Sequence, residues 1–229
     1  MRLDFFVAHA TGLSRREVKA LLSRGAISVA GERCVRASYQ LAQGQAVFRD
    51  GVLLTLPGER YLMLNKPAGT VSSTSDQDGL SVLHLLPPAW RKGLHIVGRL
   101  DADTTGLLLL SSDGQWSHRI TSPRSGCDKT YLVTTARAMT AAMAQQLRDG
   151  VMLRGEDNPT QPAAVELLDD FRLRLTISEG RYHQVKRMLA AVGNHVDALH
   201  RQQIGALSLD ESLALGQYRL LRDDEVALF

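Results

Sequence analysis

The sequence is poor in the features that build secreted, metal-stapled or membrane-spanning proteins. It has two cysteines, Cys34 and Cys127, with no CxxC and no Cys/His ligand spacing. A disulfide scaffold and a zinc finger are therefore poor readings. No apolar run approaches the roughly 18 residues of a membrane helix, and charge enters at once with Arg2 and Asp4. Neither secretion nor membrane insertion is expected, and a reducing cytoplasmic setting follows. GxGxxG, a phosphate-binding loop and a nucleophile elbow are all missing, which withdraws support from nucleotide-cofactor folds and serine hydrolases. No internal repeat is visible.

What is present is a chain of 229 residues, 44% hydrophobic and 22% charged, which allows one medium domain or a small module plus a larger body. The net charge is only +3, but it is uneven. Residues 1–60 hold nine basic and five acidic residues; the rest hold 18 and 19. Of the 27 basic residues 22 are arginine, whose planar fork suits phosphate contacts and base stacking. A GC-rich genome that favours arginine codons accounts for the same number equally well.

The first segment reads as a helix over 2–11, with Leu3, Phe6, Val7 and Ala10 on one face and Gly12 ending it. Ser14, with Glu17 three places on, forms a capping box for a second helix that buries Val18, Leu21 and Leu22 and stops at Gly25. Arg15, Arg16 and Lys19 fall on its exposed turns. Near a helix N-terminus such a cluster can track a phosphate ridge, or serve only as a solvated face. Ile27 and Val29 lead through a turn at Ala30–Glu32 to a returning strand over Cys34–Tyr39, with another at Ala46–Phe48. Pro57-Gly58-Glu59 reads as a linker, giving units 1–57 and 60–229.

The larger unit predicts strands at Tyr61–Leu64, His95–Leu100, Leu107–Leu110, Lys129–Thr134, in two runs about Asp169-Asp170, and at Val196–Leu199 and Ile204–Leu209. Helices are expected at Val82–Leu86, Gln115–Thr121, 138–148 (on Met139, Met143 and Leu147) and Tyr182–Ala191. The body is α+β, a mainly antiparallel mixed sheet with flanking helices.

Two stretches carry candidate chemistry. In Gly98–Gly106, Asp101 and Asp103 share a turn between apolar runs. They suit an acid/base pair, a divalent-metal site lacking its third acid, or a turn whose aspartates bond backbone N–H groups. In Ser178–Met188, Arg181, His183, Gln184, Lys186 and Arg187 are concentrated. Lys186 and Arg187 are adjacent and cannot share a helix face, so one can reach inward while the other meets RNA or solvent. With Arg99 and Arg119 they could frame an anionic ligand; the plainer reading is a basic helix with Tyr182 and Met188 in the core.

Together these stretches resemble one family. Gly98-Arg99-Leu100-Asp101-Ala102-Asp103-Thr104-Thr105-Gly106, with Leu107–Leu110 after it, is similar to the catalytic-aspartate motif of the pseudouridine synthases of the RsuA type. Leu64-Asn65-Lys66-Pro67, Lys129-Thr130-Tyr131 and Gly180–Met188 resemble its other characteristic stretches, and the first unit resembles the S4-like RNA-binding domain. The resemblance spans essentially the whole chain. It implies Asp101 as the required aspartate, Tyr131 against the target base, Lys186 as the basic partner of the aspartate, and Arg99 near RNA or the gap left by the base. Lys66 and Pro67 match a structural motif, and Ser125-Gly126-Cys127 departs from the pattern. Gln115–Arg124 and Gly193-Asn194-His195-Val196 place the resemblance nearest the branch acting on 16S rRNA, at uridine 516.

The implied reaction breaks the bond from ribose to N1, turns the uracil and rejoins it through C5. No net electron transfer occurs, so neither cofactor nor metal is expected. The aspartate either attacks the sugar or removes its 2′ proton, and both routes use an ionised carboxylate that a nearby cation favours. The expected partner is 16S rRNA in a small-subunit assembly intermediate; the chain is expected to be monomeric and to engage no membrane. A synthase acting on 23S rRNA, a non-catalytic rRNA-binding assembly factor and a metal-dependent nuclease remain as alternatives.

Overall fold

The computed structural model describes residues 1–229 apart from Gln43, Pro57 and the side chain of Ala89. Of the expected Pro57-Gly58-Glu59 junction, Pro57 thus lies outside the described residues. The chain forms two units, Met1–Glu59 and Arg60–Phe229.

The first unit opens with α1 (Leu3–Thr11) and α2 (Arg15–Ser23). Gly12 at φ 73° closes α1, a conformation that glycine adopts without a Cβ penalty. Ser14 and Glu17 cap α2 reciprocally: the Ser14 amide donates to Glu17 Oε2 at 2.7 Å, and the Glu17 amide to Ser14 Oγ at 3.4 Å. Strands β1 (Ile27–Val29), β2 (Glu32–Arg33), β3 (Val47–Arg49) and β4 (Val52–Leu54) form a sheet in the order β2-β1-β3-β4. The returning strand expected over Cys34–Tyr39 is absent, since pairing stops at Arg33. β4 was not foreseen, because Val52–Leu54 is too short to show a period. Leu3, Val7, Val18, Leu21, Leu22, Ile27, Val29 and Val47 make the core.

The second unit runs β5 (Tyr61–Lys66), a 3-10 turn at Val82–Leu85, α3 (Pro88–Arg91), β6 (His95–Val97), β7 (Thr105–Ser111) and α4 (Gly114–Thr121). After a 3-10 turn at Pro123–Ser125 come β8 (Lys129–Thr135), α5 (Ala141–Asp149), β9 (Ala164–Leu167), β10 (Arg172–Ile177) and α6 (Gln184–Ala191). β11 (Val196–Ile204), β12 (Leu207–Ser208), β13 (Tyr218–Leu220) and α7 (Asp223–Val226) finish it. The sheet order is β13-β5-β7-β11-β8-β10-β9, with β12 on β11 and β6 on β7. Among the described strands of this sheet, the short β7–β11 pairing is parallel and the others are antiparallel.

β7 explains the run of leucines. Leu108 and Leu110 face one apolar cluster with Leu62, Leu64, Val133, Leu175 and Met188; Leu107 and Leu109 face another with Met63, Trp116 and Ile120. A strand covered on both faces needs apolar residues at every position. Each buried leucine contributes about 1.5–3 kcal/mol.

Several boundaries differ from the sequence reading: the strand expected over His95–Leu100 ends at Val97, and the helix expected over Val82–Leu86 is a 3-10 turn over Val82–Leu85. The strand expected over Val196–Leu199 runs on through His200–Gln203 to Ile204 as β11, with irregularities at Val196/Ala198 and Arg201/Gln203 that break the alternation, and the one expected over Ile204–Leu209 is reduced to β12 at Leu207–Ser208. α5 begins after Thr140, whose Oγ1 accepts the Met143 amide, so Met139 packs in the core ahead of the helix. α6 begins at Gln184, because His183 takes a left-handed φ of 47°.

Candidate active site

A cleft of about 700 Å³ lies in the second unit, and Arg99, Asp101, Tyr131, Arg181, His183, Gln184 and Lys186 are all part of its lining. It forms where β7 divides one edge between two neighbours, pairing with β11 at Thr105 and Gly106 and with β6 from Leu109. The loop from Gly98 to Thr104 emerges there and carries Asp101.

That loop is tied down along its length. Ser72 Oγ donates to the Leu100 carbonyl at 2.8 Å and accepts the Leu100 amide at 3.0 Å. The Thr104 amide donates to the Asp101 carbonyl at 3.1 Å. Lys66, fully buried at the end of β5, donates to the carbonyls of Pro67, Ala102 and Thr104 at 3.0, 3.3 and 2.9 Å. Burial pushes the Lys66 ammonium down to about 8, against the pull of Asp103 and Asp101. The sequence had marked Lys66 only as part of a structural motif. Nothing in the local pattern of Asn65-Lys66-Pro67 says that the ammonium holds the loop that carries Asp101.

Buried Arg201 supports the other side of the loop, its Nε and Nη2 donating to the carbonyls of Leu107 and Gly98 at 2.8 and 3.0 Å. Sequence reading missed it, because an arginine in the polar run His200–Gln203 gives no local sign of its partners. Gly106 makes the support possible. A Cβ there would fall 2.3 Å from the Arg201 carbonyl oxygen.

Lys186 on the first turn of α6 lines the cleft and reaches Asp101. Its Nζ lies 2.9 Å from Asp101 Oδ2 and 2.6 Å from Asp103 Oδ1. Burial alone would lower the Lys186 ammonium; its bonds to Asp103 and Asp101 outweigh that and raise it. The hydrogen bond from Lys186 holds the Asp103 carboxyl below its usual range. Asp101 is 26% exposed and Asp103 72%, so the two aspartates share a cation in different surroundings. His183 Nε2 stands 3.4 Å from Asp101 Oδ1. Tyr131 on β8 is buried at the cleft wall. No group of three His, Cys, Asp or Glu side chains able to hold a metal ion occurs among the described residues.

The other expected site residues divide. Arg99 is exposed on the cleft. Arg181 donates to Glu179 and to the carbonyls of Asn158 and Pro159, and Gln184 is buried against Glu179. Arg187 points away, to Glu156 and the Arg154 carbonyl, so of the two adjacent cations it is Lys186 that reaches inward. Arg119 is not part of the lining; its Nε donates to Phe229 O at 2.8 Å. Tyr182, read as a core residue in the plainer alternative, is 75% exposed, whereas Met188 is buried as expected. Arg15, Arg16 and Lys19 are exposed on α2 in the first unit.

Comparison with known proteins agrees with this architecture. The family model described as RNA pseudouridylate synthase matches residues 60–191, and that of the S4 domain matches residues 1–57. The fold is that of a pseudouridine synthase that carries an S4 domain. The chain is 50% identical to ribosomal small subunit pseudouridine synthase A of Escherichia coli K12, over 99% of both chains. It is 48% identical to the Haemophilus influenzae protein of that name, covering 99% of this chain and 98% of the relative. A crystal structure of a pseudouridylate synthase superposes with a TM-score of 0.73 at 46% identity, covering the whole of both chains. The chain therefore belongs to the RsuA family of ribosomal small-subunit pseudouridine synthases.

Proposed function

We propose that this enzyme converts one uridine of 16S rRNA, position 516, to pseudouridine, with Asp101, Tyr131 and Lys186 as the groups that act on it. The observation that carries the reading is the closure of Lys186 onto Asp101 inside a cleft that Tyr131 also lines. Residues 60–229 form the catalytic domain in this reading. Residues 1–57 attach the enzyme to RNA through Arg15, Arg16 and Lys19.

The target uridine leaves its stack to reach Asp101. Tyr131 replaces part of the lost stacking, about 1–3 kcal/mol for an aromatic ring against a base. Asp101, held as a carboxylate beside Lys186, starts the reaction either at C1′ or by taking the 2′ proton. The N1 glycosidic bond breaks, the uracil turns, C5 bonds to C1′, and a base near the ring removes the proton from C5. Arg99 contacts the RNA at the mouth. Arg181, Gln184 and Arg187 act as supports, since their polar groups are already engaged within the protein.

The substrate in this reading is a small-subunit assembly intermediate, met by a monomer in the cytoplasm. RNA labelled with tritium at uracil C5 tests the chemistry. The wild type releases the label without cutting the strand and regardless of chelator, and Asp101→Asn releases none. Mapping the product then distinguishes 16S from 23S rRNA. Failure on both free RNA and small-subunit particles would overturn the enzymatic reading.

A further inference from the structure

We propose that Tyr182 and His183 form a stacking platform at the rim of the cleft, which receives the base next to the extruded uridine and, through His183, aligns Asp101. This rests on the reading of the cleft as the site of uridine isomerisation.

The platform is visible as a pair of rings. Tyr182 and His183 are stacked, with centroids 3.8 Å apart and planes at 22°. Both belong to the cleft lining. Tyr182 remains 75% exposed even with one ring face covered by the imidazole, so its other face is open to solvent. Tyr131 is buried deeper in the same cleft and suits the extruded base. A second aromatic ring, outside and open on one face, suits a base that has just lost its stacking neighbour. Stacking of this kind accepts any base, because every base has a π-face.

The ring pair is held in place from both sides. Arg181, just before it, is fixed by Glu179 and two backbone carbonyls. Gln184, just after it, is buried, with Nε2 bonded to Glu179 at 2.6 Å. Between them His183 adopts φ 47°, which is uncommon for a residue with a Cβ and is retained where surrounding contacts enforce it. This turn keeps both rings out of α6 and on the cleft. It also brings His183 Nε2 to 3.4 Å from Asp101 Oδ1, while Lys186 takes Oδ2. A base resting on Tyr182 thus restrains the ring that restrains one carboxylate oxygen. In these terms Tyr182 is a substrate contact and His183 a positioning residue.

The test uses the full-length enzyme and C5-tritiated RNA, intact or lacking the base on the 5′ or the 3′ side of the target. Tyr182→Phe, the conservative variant that keeps the ring, should restore most of the rate that Tyr182→Ala loses. Tyr182→Ala should lower the single-turnover rate at saturating RNA about tenfold, the scale of a lost base–aromatic stack. His183→Asn, a residue that tolerates this φ, should give a similar loss without loss of RNA affinity. One of the two abasic substrates should slow the wild type as much as Tyr182→Ala does, and should slow Tyr182→Ala no further. A Tyr182→Ala rate equal to wild type, or full additivity with both abasic substrates, would overturn the platform alone. No release by the wild type from intact RNA would overturn the functional reading along with it.

Discussion

Lys66 is fully buried beneath the loop that carries Asp101, and its ammonium donates to the Thr104 carbonyl at 2.9 Å. The contact joins the end of β5 to the turn before β7, and two further carbonyls complete the grip. Burial lowers this group from 10.5 to about 8. Between those values the unfolded chain holds the proton and the folded chain does not. Linkage therefore makes this group's contribution to stability rise as pH climbs through that window. Its effect on catalysis has the opposite sign, because the neutral amine removes positive charge from beside Asp101 and loosens the loop. Activity should fall above about pH 8 with no matching fall in thermal stability from this group. Lys66→Met should lose this alkaline limb and run about 100-fold slower throughout, the scale of a small misplacement of reacting groups. Single-turnover rates and melting temperatures at matched pH check both parts.

The aspartates that share Lys186 should behave very differently on substitution. Asp103 is 72% exposed, so its ion pair is worth no more than about 1 kcal/mol. Asp103→Asn should cost at most about fivefold in rate. Asp101→Asn should abolish label release while RNA affinity stays within a few-fold. Lys186→Met should fall between them, at about 10- to 100-fold, the 1.5–3 kcal/mol of a charge-assisted hydrogen bond. Rates and filter binding on all three variants check the order. Equal losses for the two aspartates would contradict the assignment.

Much of this arrangement was legible in the chain because local patterns encode local structure. The Ser14/Glu17 capping box, the Gly12 stop and the apolar period of α2 each predicted what is found. The strand β7 was visible in Leu107–Leu110, and the structure adds that both of its faces are covered. The misses arose where distant contacts decide conformation. His183 looks helical in sequence, and its left-handed φ comes with anchoring of Arg181 and Gln184 by Glu179 and the segment around Pro159. β11 loses its alternation at irregularities created by pairing with β8. Lys66 and Arg201 were illegible as supports because the carbonyls they hold belong to strands and loops far away in sequence.

Gly106 gives a prediction about stability that concerns the site directly. At φ 102° it occupies backbone space unfavourable to other residues, and a Cβ there would lie 2.3 Å from the Arg201 carbonyl oxygen and 2.7 Å from its nitrogen. Backbone on the opposing strand cannot step aside as a flexible side chain can. Gly106→Ala should separate β7 from β11, at a cost of about 2 kcal/mol or more. A melting temperature lower by about 4–8 °C is expected. Arg201 would be displaced with the strand, so activity should drop even below the melting transition. Gly126→Ala is the control: that position also has positive φ, but nothing lies within 4 Å of an added Cβ. It should show the smaller loss and keep its activity.

The basic face of α2 predicts a salt dependence. Arg15, Arg16 and Lys19 are exposed, and the helix packs through Val18, Leu21 and Leu22, so the three cations can be removed without touching the core. Each phosphate contact on single-stranded RNA adds about 0.7 to the slope of log affinity against log salt. Replacing all three by alanine should therefore flatten that slope by about 2 and weaken binding most at low salt. The effect should be similar for cognate and unrelated RNA, because phosphate contacts position a protein without reading sequence. The single-turnover rate at saturating RNA should stay near wild type, since the described residues lining the cleft belong to the other unit. Filter binding across a salt series, paired with label release at saturation, checks the separation. An unchanged slope would show that α2 does not touch the phosphates. A rate that collapses with the slope intact would mean that these residues act on the chemistry instead.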